Sequence, residues 1–354
     1  MTRLFPLSFL LSCVISTASV ADAPRVVADI APVQGLVARV MAGVAVPDIL
    51  IPPGSSPHAY SLRPSDARAL SDADLVFWIG DELEAWLSDP LEQLADDARI
   101  VALLDVPGTL HLPFRNEAVF AEDVHAIEQE ADHDDHHDAD DDHAGGDHAD
   151  DEHAGDDHAG HDHEEQDHDE QDHDEHEHGE HDHDGLDPHA WLAPANGKLW
   201  LILIAKELAY VDPDNADQYL SNALEGQAEI DLVTATISNA LPKEHGPFVV
   251  FHDAYQYFEH SFGLHSLGAI SLGDAASPSV ARIAEIREAV ADAGVTCVFS
   301  EPQFNPSLVD TVTKGTKVQA HVIDPLGLEL VAGPGFYTDL LEHTGRQFAT
   351  CLEP

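Results

Sequence analysis

The segment from Glu122 to Asp187 constrains the fold more than any other part of the chain. It holds 31 acidic residues and 16 histidines, and it has no lysine or arginine. Because apolar side chains are almost absent and like charges are dense, burial cannot offset the loss of chain entropy. We therefore expect a disordered insert, and the remainder of the 354 residues must supply the folded core.

Histidines recur every five residues through most of this insert, at His143, His148, His153, His158, His163, His168, His173, His178 and His183. A step of five residues is about 500° on an α-helix and alternates faces on a strand, so the repeat cannot line one surface. Imidazole and carboxylate groups are ligands for divalent transition metals, zinc above all in an exported protein. We interpret the repeat as auxiliary metal ligands spaced along a flexible chain.

The charge balance excludes some classes of partner. The formal net charge is −52 at pH 7, and outside the insert 36 acidic residues stand against 15 basic ones. Such a chain is repelled by nucleic acids and by anionic lipid surfaces. Metal cations are better candidates for its ligand.

The first 21 residues have the features of a secretory signal peptide. Arg3 provides a positive charge, residues 4–14 are apolar but too short to span a membrane, and residues 19–21 (Ser-Val-Ala) form a small-residue cleavage site. We expect an exported mature chain that begins at Asp22. A retained membrane anchor and lipidation at Cys13 are the alternatives.

Export leaves two cysteines in the mature chain, Cys297 and Cys351. In an oxidising compartment, two cysteines favour one disulfide bond. Closing a loop of about 55 residues would stabilise the fold by on the order of 4 kcal/mol. Two free buried thiols are the alternative.

Outside the insert, short apolar runs alternate with helical patterns, which predicts parallel sheets flanked by helices. The strand candidates are RVVADI, DILI, DLVFWIG and RIVALLD before the insert and PFVVFHD, HSLGAI, VTCVFSEP and AHVIDPLG after it. Residues 213–241 indicate one helix of about 43 Å at 1.5 Å per residue. We predict an α/β protein of two lobes joined by this long connecting helix, with a ligand site in the cleft between the lobes.

The predicted boundaries follow from these patterns. The signal peptide occupies residues 1–21, the N-terminal lobe 22–212 with the insert at 122–187, the connecting helix 213–241 and the C-terminal lobe 242–354.

Three isolated histidines and one aspartate stand where a folded site can form. His58 follows a predicted strand in IPPGSSPHAY, His189 precedes a helix in LDPHAWLAP, and His252 ends a strand in PFVVFHD. Asp324, in HVIDPLG, has the equivalent position on a later strand. Open α/β sheets bind ligands at the carboxyl ends of their strands, and three imidazoles with one carboxylate complete a tetrahedral zinc shell. Taken singly, each residue can instead be a hydrogen-bonded structural group or a turn residue.

Five motifs in this order resemble those of the zinc-binding solute-binding proteins of ABC importers: PPGSSPHAYSLRPSDARAL, LDPHAWLAP, VVFHDAYQYF, TCVFSEPQFNP and VIDPLG. These proteins are the ZnuA-like members of the metal-binding class that also contains TroA-like proteins. The resemblance covers nearly all of the mature chain. It implies a periplasmic receptor that captures zinc and delivers it to a membrane permease, with two α/β lobes joined by one long helix.

The resemblance also implies which residues bind the metal. His58, His189 and His252 match the three ligand histidines, and Asp324 matches a carboxylate that completes the shell in some members. Other members have a glutamate immediately before the first histidine, where this chain has Pro57. The fourth ligand is therefore Asp324, a water molecule or a histidine of the insert.

Similar manganese receptors have a glutamate at the position of His252. Three imidazoles favour zinc over manganese, which prefers oxygen donors, so Zn(II) is the expected metal and manganese or iron the alternative. The family's cysteine pair matches Cys297 and Cys351. We further expect a monomer that docks onto its permease with both lobes.

The insert ends two residues before His189, so its histidines are tethered to the predicted site. A flexible chain of about 60 residues reaches roughly 45 Å, and tethering raises the effective ligand concentration. The insert is then a low-affinity zinc collector or a sensor; a solvated insert without a transport role is the alternative.

The sequence gives little support to an enzyme, since it has no Walker A loop, His-Glu-x-x-His helix or Gly-x-Ser-x-Gly elbow. A zinc hydrolase would need an open coordination position and a general base, for which Asp253 and Glu301 are the candidates. An adhesin, or a periplasmic zinc buffer without a permease, is the other alternative.

Overall fold

The computed structural model describes residues 23–120, 185–271, 273 and 277–353. The predicted signal peptide lies outside the described residues. So does nearly all of the predicted insert, including its nine regularly spaced histidines. Within the described ranges, no helix is long and apolar enough to cross a membrane.

The N-terminal lobe is built on one parallel sheet. Its strands are β1 (Val26–Ala28), β2 (Asp48–Ile49), β3 (Leu75–Trp78) and β4 (Arg99–Ala102). Its helices are α1 (Ala31–Val40), α2 (Pro64–Ser71), α3 (Asp81–Glu84) and α4 (Ser88–Leu94), and a 3-10 turn at Ala85–Leu87 joins α3 to α4. The strand order is β2-β1-β3-β4. Every residue of β1 and β3 is buried, as expected for central strands of a parallel sheet.

Two helices lead from this lobe to the second one. They are α5 (Pro194–Val211) and α6 (Ala216–Ala240), and a 3-10 turn at Pro213–Asn215 separates them. The two helices pack along each other. The predicted connecting helix is confirmed, with its first turn in the 3-10 form, and the 25 residues of α6 span about 38 Å.

The C-terminal lobe repeats the same plan. Its strands are β5 (Phe248–His252), β6 (Gly268–Ser271), β7 (Cys297–Ser300) and β8 (Gln319–Val322), in the parallel order β6-β5-β7-β8. Its helices are α7 (Gln256–Phe262), α8 (Val280–Asp292), α9 (Pro306–Thr313) and α10 (Phe336–Leu352). The predicted fold class, two parallel sheets flanked by helices with a long connecting helix, is confirmed.

A disulfide bond joins Cys297, at the start of β7, to Cys351 near the end of α10, with Cα atoms 5.7 Å apart. This confirms the predicted pairing. Beside it, the ring of Phe348 packs against Phe248 and Phe299 at centroid distances of 5.5 and 4.7 Å. Since α10 also contacts α6 and α1, the last helix ties the C-terminal sheet to the N-terminal lobe.

Residues 110–120, which we call the strap, run against the C-terminal lobe. Val119 pairs antiparallel with Gly268, on the edge strand β6, and the Phe120 N–H donates to the Leu267 carbonyl at 2.9 Å. Leu186, among the last residues of the predicted insert, pairs antiparallel with Pro113. The described end of the insert is therefore bonded to the strap, and the strap adds a short stretch of chain to the C-terminal sheet.

Candidate metal centre

Three of the predicted site residues converge from three parts of the chain. His58 lies in the loop after β2, His189 directly precedes a 3-10 turn at Ala190–Leu192, and His252 is the last residue of β5. Two of them thus follow the carboxyl ends of parallel strands, one in each sheet. Each histidine offers one ring nitrogen, and these three nitrogens lie within 4.8 Å of one another.

The closest pair of ring nitrogens has the spacing of two zinc ligands. His189 Nε2 and His252 Nε2 are 3.3 Å apart. Two imidazole nitrogens bound tetrahedrally at Zn–N distances of about 2.0–2.1 Å are separated by roughly 3.3 Å. The ring of His58 lies 5.6 Å from that of His189, centroid to centroid. The cluster therefore fits a zinc ion without rearrangement of its closest pair.

Buried carboxylates hold the other ring nitrogen of this pair. His189 Nδ1 lies 2.7 Å from Asp187 Oδ1, and His252 Nδ1 lies 2.7 Å from Glu301 Oε1. A carboxylate oxygen accepts a hydrogen bond, so each Nδ1 carries a proton and each Nε2 presents a lone pair. The two Nε2 atoms lie 3.3 Å apart and can share one cation. The arrangement could hold a metal ion.

The two carboxylates are themselves fixed by further hydrogen bonds. Asp187 Oδ1 accepts the His189 backbone N–H at 2.9 Å, and the Gln256 amide, with its nitrogen facing Asp187, donates to Oδ2 at 3.0 Å. Gln303 donates to Glu301 Oε2 at 3.1 Å. Burial raises the pKa of Asp187 to about 7, although the His189 N–H and the charge of Arg115 lower it. A divalent cation on His189 would favour the ionised carboxylate.

Asp324 is buried but does not belong to the three converging residues. Its carboxylate accepts the N–H groups of Leu326 at 2.9 Å and Leu328 at 2.6 Å, and so it caps the loop after β8. A carboxylate has about four lone-pair positions, so it can still bind a metal. Burial, and then the charges of Glu301 and Asp324, raise the pKa of the Tyr255 hydroxyl. The Tyr255 ring lies 6.4 Å from that of His252. The role of Asp324 as fourth ligand stays a prediction.

The loop that carries His58 is held by Trp86, in the 3-10 turn after α3. Trp86 Nε1 donates to the Pro57 carbonyl at 2.7 Å, and the Trp86 ring packs on the Tyr60 ring at 5.8 Å. Trp86 therefore contacts the chain on both sides of His58. Pro57 itself has no side-chain oxygen, so it adds no ligand to the centre.

The segment that carries His189 is held from the C-terminal lobe. Trp191 Nε1 donates to the Pro325 carbonyl at 2.9 Å, and the Tyr337 hydroxyl donates to the Trp191 carbonyl at 2.7 Å. The Tyr257 hydroxyl donates to the Asp187 carbonyl at 2.8 Å. Although His189 belongs to the N-terminal half of the chain, its neighbours are thus fixed by residues of the C-terminal half.

The surroundings of the cluster are rich in buried acids. Arg115, in the strap, forms ion pairs with Asp253 and Glu259, which are both buried. Burial raises the pKa of each of these carboxyls and Arg115 lowers it. One guanidinium faces two carboxyls here, and Asp187 and Glu301 lie behind the histidines, so the region attracts cations.

Sequence reasoning missed the partners of the histidines, Asp187 and Glu301. Asp187 stands two residues before His189, a local signal that was available. Glu301 follows β7, which pairs with β5 in the register Phe248 to Cys297. Continuing this register sets His252 beside Glu301, but it requires knowledge that β5 and β7 are neighbours, which the sequence alone does not supply.

Comparisons with known proteins agree with one family. The signature of the family described as "ZnuA: Zinc-uptake complex component A periplasmic" matches residues 26–351. The chain is 44% identical over 352 residues to the high-affinity zinc uptake system protein ZnuA of Paracoccus denitrificans, a match that covers 98% of each chain. It is 42% identical over 328 residues to the protein of the same name from Brucella abortus, covering 92% of this chain and 91% of that one.

A solved structure supports the fold. The crystal structure of a ZnuA deletion mutant with zinc bound is similar at a TM-score of 0.68 and 20% sequence identity, and the match covers 94% of this chain and 99% of that one. The family signature spans almost all of the described residues, and the two relatives match over nearly their full length. This chain therefore belongs to the ZnuA family, the periplasmic components of zinc-uptake complexes.

Proposed function

We propose that this chain is the high-affinity receptor of an ABC-type zinc uptake system, binding Zn(II) in the periplasm and delivering it to a membrane permease. The observation that carries the proposal is the pair of Nε2 atoms of His189 and His252, 3.3 Å apart, with both Nδ1 atoms on buried carboxylates. His58 supplies a third nitrogen within 4.8 Å. The similar proteins of Paracoccus and Brucella carry the name of zinc uptake proteins.

The positions of the proposed ligands in the fold explain how zinc would be captured and released. Asp187 and Glu301 accept at the Nδ1 atoms of two imidazoles and so orient both Nε2 atoms toward the ion. His58 belongs to one sheet and His252 to the other, so one bound ion links the lobes. A change in the spacing of the lobes would break this shell, which gives a permease that docks onto both lobes of a monomeric receptor a means of release.

Zinc titration of single variants tests the ligand set. We expect His58→Ala, His189→Ala and His252→Ala each to abolish the tight site, measured by competition with a chelator of known affinity. His245→Ala is the matched control, because His245 is partly buried and hydrogen-bonded to the Gly246 carbonyl, outside the cluster. Tight binding that survives any of the three cluster substitutions would contradict the assignment.

The fourth ligand is Asp324, water or a histidine of the insert. Asp324→Asn removes the negative charge, but its amide N–H faces the N–H of Leu326 or Leu328, so the thermal midpoint should fall. A loss of zinc affinity at a temperature where the variant remains folded would support ligation by Asp324. Equal affinity would leave the other two candidates.

The donor set supports zinc as the metal that is transported. Three imidazoles suit zinc better than manganese, which prefers oxygen donors. We expect Mn(II) and Fe(II) to bind much more weakly than Zn(II) in the same competition assay. Deletion of the protein should also impair growth in zinc-depleted medium, whereas normal growth would favour a zinc buffer without a permease. The family is a component of uptake complexes rather than a class of enzymes.

The proposal also covers the signal peptide and the histidine-rich insert. Residues 1–21 act as a cleaved signal peptide, which determination of the mature N-terminus would establish; an acylated Cys13 would show lipoprotein anchoring instead. The insert serves as a low-affinity zinc collector or as a sensor. Its support is compositional, since a segment with 16 histidines ends a few residues before the ligand candidate His189.

A further inference from the structure

Two buried acids interact at the carboxyl end of the N-terminal sheet, and neither is a member of the histidine cluster. Asp29 follows β1 and is 1% exposed, and Glu84 ends α3 and is 0% exposed. The side chain of Glu84 acts on Asp29 through a hydrogen bond, and Asp29 acts on Glu84 through its charge and the same bond. Buried carboxylates without a cation are unfavourable, so this contact requires a proton.

The hydrogen bonds indicate which acid carries that proton. Asp29 Oδ1 accepts the Ile30 N–H and Asp29 Oδ2 accepts the Ile79 N–H, each at 2.6 Å. Within the described ranges, neither carboxyl oxygen of Glu84 has an N–H or hydroxyl donor. Two carboxyls can join only through a carboxyl O–H. Because both oxygens of Asp29 already accept backbone N–H groups, Glu84 is the donor and Asp29 the acceptor.

The direction of the pKa shifts agrees with this assignment. Burial, and then the charge and hydrogen bond of Asp29, raise the pKa of Glu84 well above its ordinary value. Burial raises the pKa of Asp29 to about 7, while the two backbone N–H groups and the bond to Glu84 lower it. The hydrogen bond thus favours the protonated form of Glu84 and the ionised form of Asp29.

The pair lies between both ends of the loop that holds His58. The Asp29 carbonyl accepts the Ile51 N–H at 2.8 Å, where the chain leaves β2 toward His58. Two residues after Glu84, Trp86 donates to the Pro57 carbonyl at 2.7 Å. A continuous path therefore runs from the end of β1 through the acid pair and Trp86 to the residue before the predicted ligand.

We propose that Asp29 and Glu84 are positioning residues for His58, joined by one carboxyl proton that fastens the Trp86 turn to the end of β1. This rests on the proposed zinc site, of which His58 is a member. Neither acid touches the metal. Loss of the proton at alkaline pH separates the two carboxylates, loosens the Trp86 turn and weakens zinc binding through His58.

Zinc titration of the full-length chain, by chelator competition between pH 7 and pH 9, tests the proposal. Glu84→Gln keeps an uncharged donor to Asp29, so its zinc affinity should stay within about threefold of wild type. Asp29→Asn turns an amide N–H toward the backbone N–H of Ile30 or Ile79, so its affinity should fall by about fivefold or more. Glu207→Gln is the matched control, since Glu207 is also buried in this lobe and pairs with Arg99; its affinity should not change.

The pH profile separates a positioning role from a merely structural one. The ratio of wild-type to Glu84→Gln affinity should fall as the pH rises, because only the wild type loses the shared proton. Urea unfolding without zinc measures the same proton. Because the pKa of Glu84 is raised in the folded state, its protonation stabilises the wild type fully at pH values below the ordinary pKa of about 4.5. This stabilisation is lost as the pH rises through the folded-state pKa. The unfolding constant should therefore rise with pH more steeply in the wild type than in Glu84→Gln, by up to about tenfold per pH unit.

Trp86→Phe provides an independent measurement if Asp29→Asn does not fold. It keeps an aromatic ring against Tyr60 and removes the N–H donated to the Pro57 carbonyl, so zinc affinity should fall by about fivefold. Parallel pH profiles of wild type and Glu84→Gln, or wild-type affinity in Asp29→Asn or Trp86→Phe, would overturn the positioning role. A wild-type chain without a tight zinc site would instead overturn the proposed function.

Discussion

The proton positions on two imidazoles decide what the histidine cluster can bind. His189 and His252 would be ordinary buried histidines if their Nε2 atoms donated to carbonyl groups. Asp187 and Glu301 accept at Nδ1 instead, and so both Nε2 lone pairs point to one place. The chemistry of the proposed centre therefore depends on buried acids that do not belong to its ligand set.

Removal of one of these acids should weaken zinc binding. Glu301→Gln still accepts the His252 Nδ1–H but loses the negative charge that makes the imidazole a better donor to zinc. We expect the affinity of the tight site to fall by about 10- to 100-fold, measured by chelator competition at pH 7.5. Glu288→Gln, the same change at an exposed position of α8, is the control and should bind as the wild type does. Equal affinities in both variants would contradict the role of Glu301.

Arg115 should affect the stability of the fold more than the choice of metal. Arg115→Met removes the ion-pair partner of the buried Asp253 and Glu259, so the free energy of unfolding at pH 7 should fall by about 3–5 kcal/mol in urea titrations. The deficit should shrink at pH 5, because the stranded carboxyls then have raised folded-state pKa values and take up protons. Arg346→Met, which removes an exposed pair with Glu342, is the control and should change stability by less than about 1 kcal/mol. A deficit that grows toward pH 5 would be the contrary result.

At the scale of elements, the strap changes how the two lobes are joined. A two-lobe protein with one connecting helix can hinge about that helix alone. Here Val119 also pairs with the edge of the C-terminal sheet, and Arg282 donates to the carbonyl groups of Asn116, Glu117 and Ala269. The strap therefore ties the chain next to the insert to β6, in the same lobe as His252.

Gly268 is the residue that permits this close approach. A Cβ atom at Gly268 would overlap the Ala118 carbonyl oxygen and lie 2.9 Å from Ile286 Cδ1. Gly268→Ala should therefore displace the strap and lower the free energy of unfolding by about 1–3 kcal/mol. Gly185→Ala is the control, because a Cβ atom at Gly185 meets nothing within 4 Å. Thermal unfolding and limited proteolysis near residue 120 would detect the displacement, and equal behaviour of the two variants would argue against it.

At the scale of the whole molecule, two kinds of histidine have different tasks in the proposal. The three converging histidines are held by packed elements, whereas those of the insert are numerous and regularly spaced along the chain. A chelating segment tethered beside a cleft raises the local metal concentration without forming a folded site. This division predicts different affinities and different responses to acid.

Deletion of residues 125–184 should leave one tight zinc site and remove the weaker ones in calorimetric titration. In the full chain, the weaker sites should be lost first as the pH falls from 7.5 to 6. Nearby carboxylates favour the imidazolium form of the insert histidines, so protons compete with zinc there, while the three converging ligands bind zinc more tightly and should hold it to lower pH. Loss of the tight site on deletion, or equal weakening of both classes in acid, would contradict the division.

Much of this architecture can be predicted from the sequence because it depends on local patterns. Apolar runs separated by helical patterns predict the two parallel sheets, and Pro213 opens the connecting helix. The disulfide follows from a count of two cysteines in an exported chain. His58, His189 and His252 could be named because each is an isolated histidine in a recognisable motif, and His58 and His252 follow predicted strands.

The rest was decided by tertiary contacts, which have no local signal. Strand order sets Glu301 beside His252, and it is long-range packing that puts β7 next to β5. The pairing of Val119 with Gly268 uses backbone groups that every residue possesses, so side-chain patterns do not reveal it. The sequence by itself thus determined the elements and the ligand types, whereas the tertiary structure decided which buried acids set the proton positions, because those depend on distances between segments far apart along the chain.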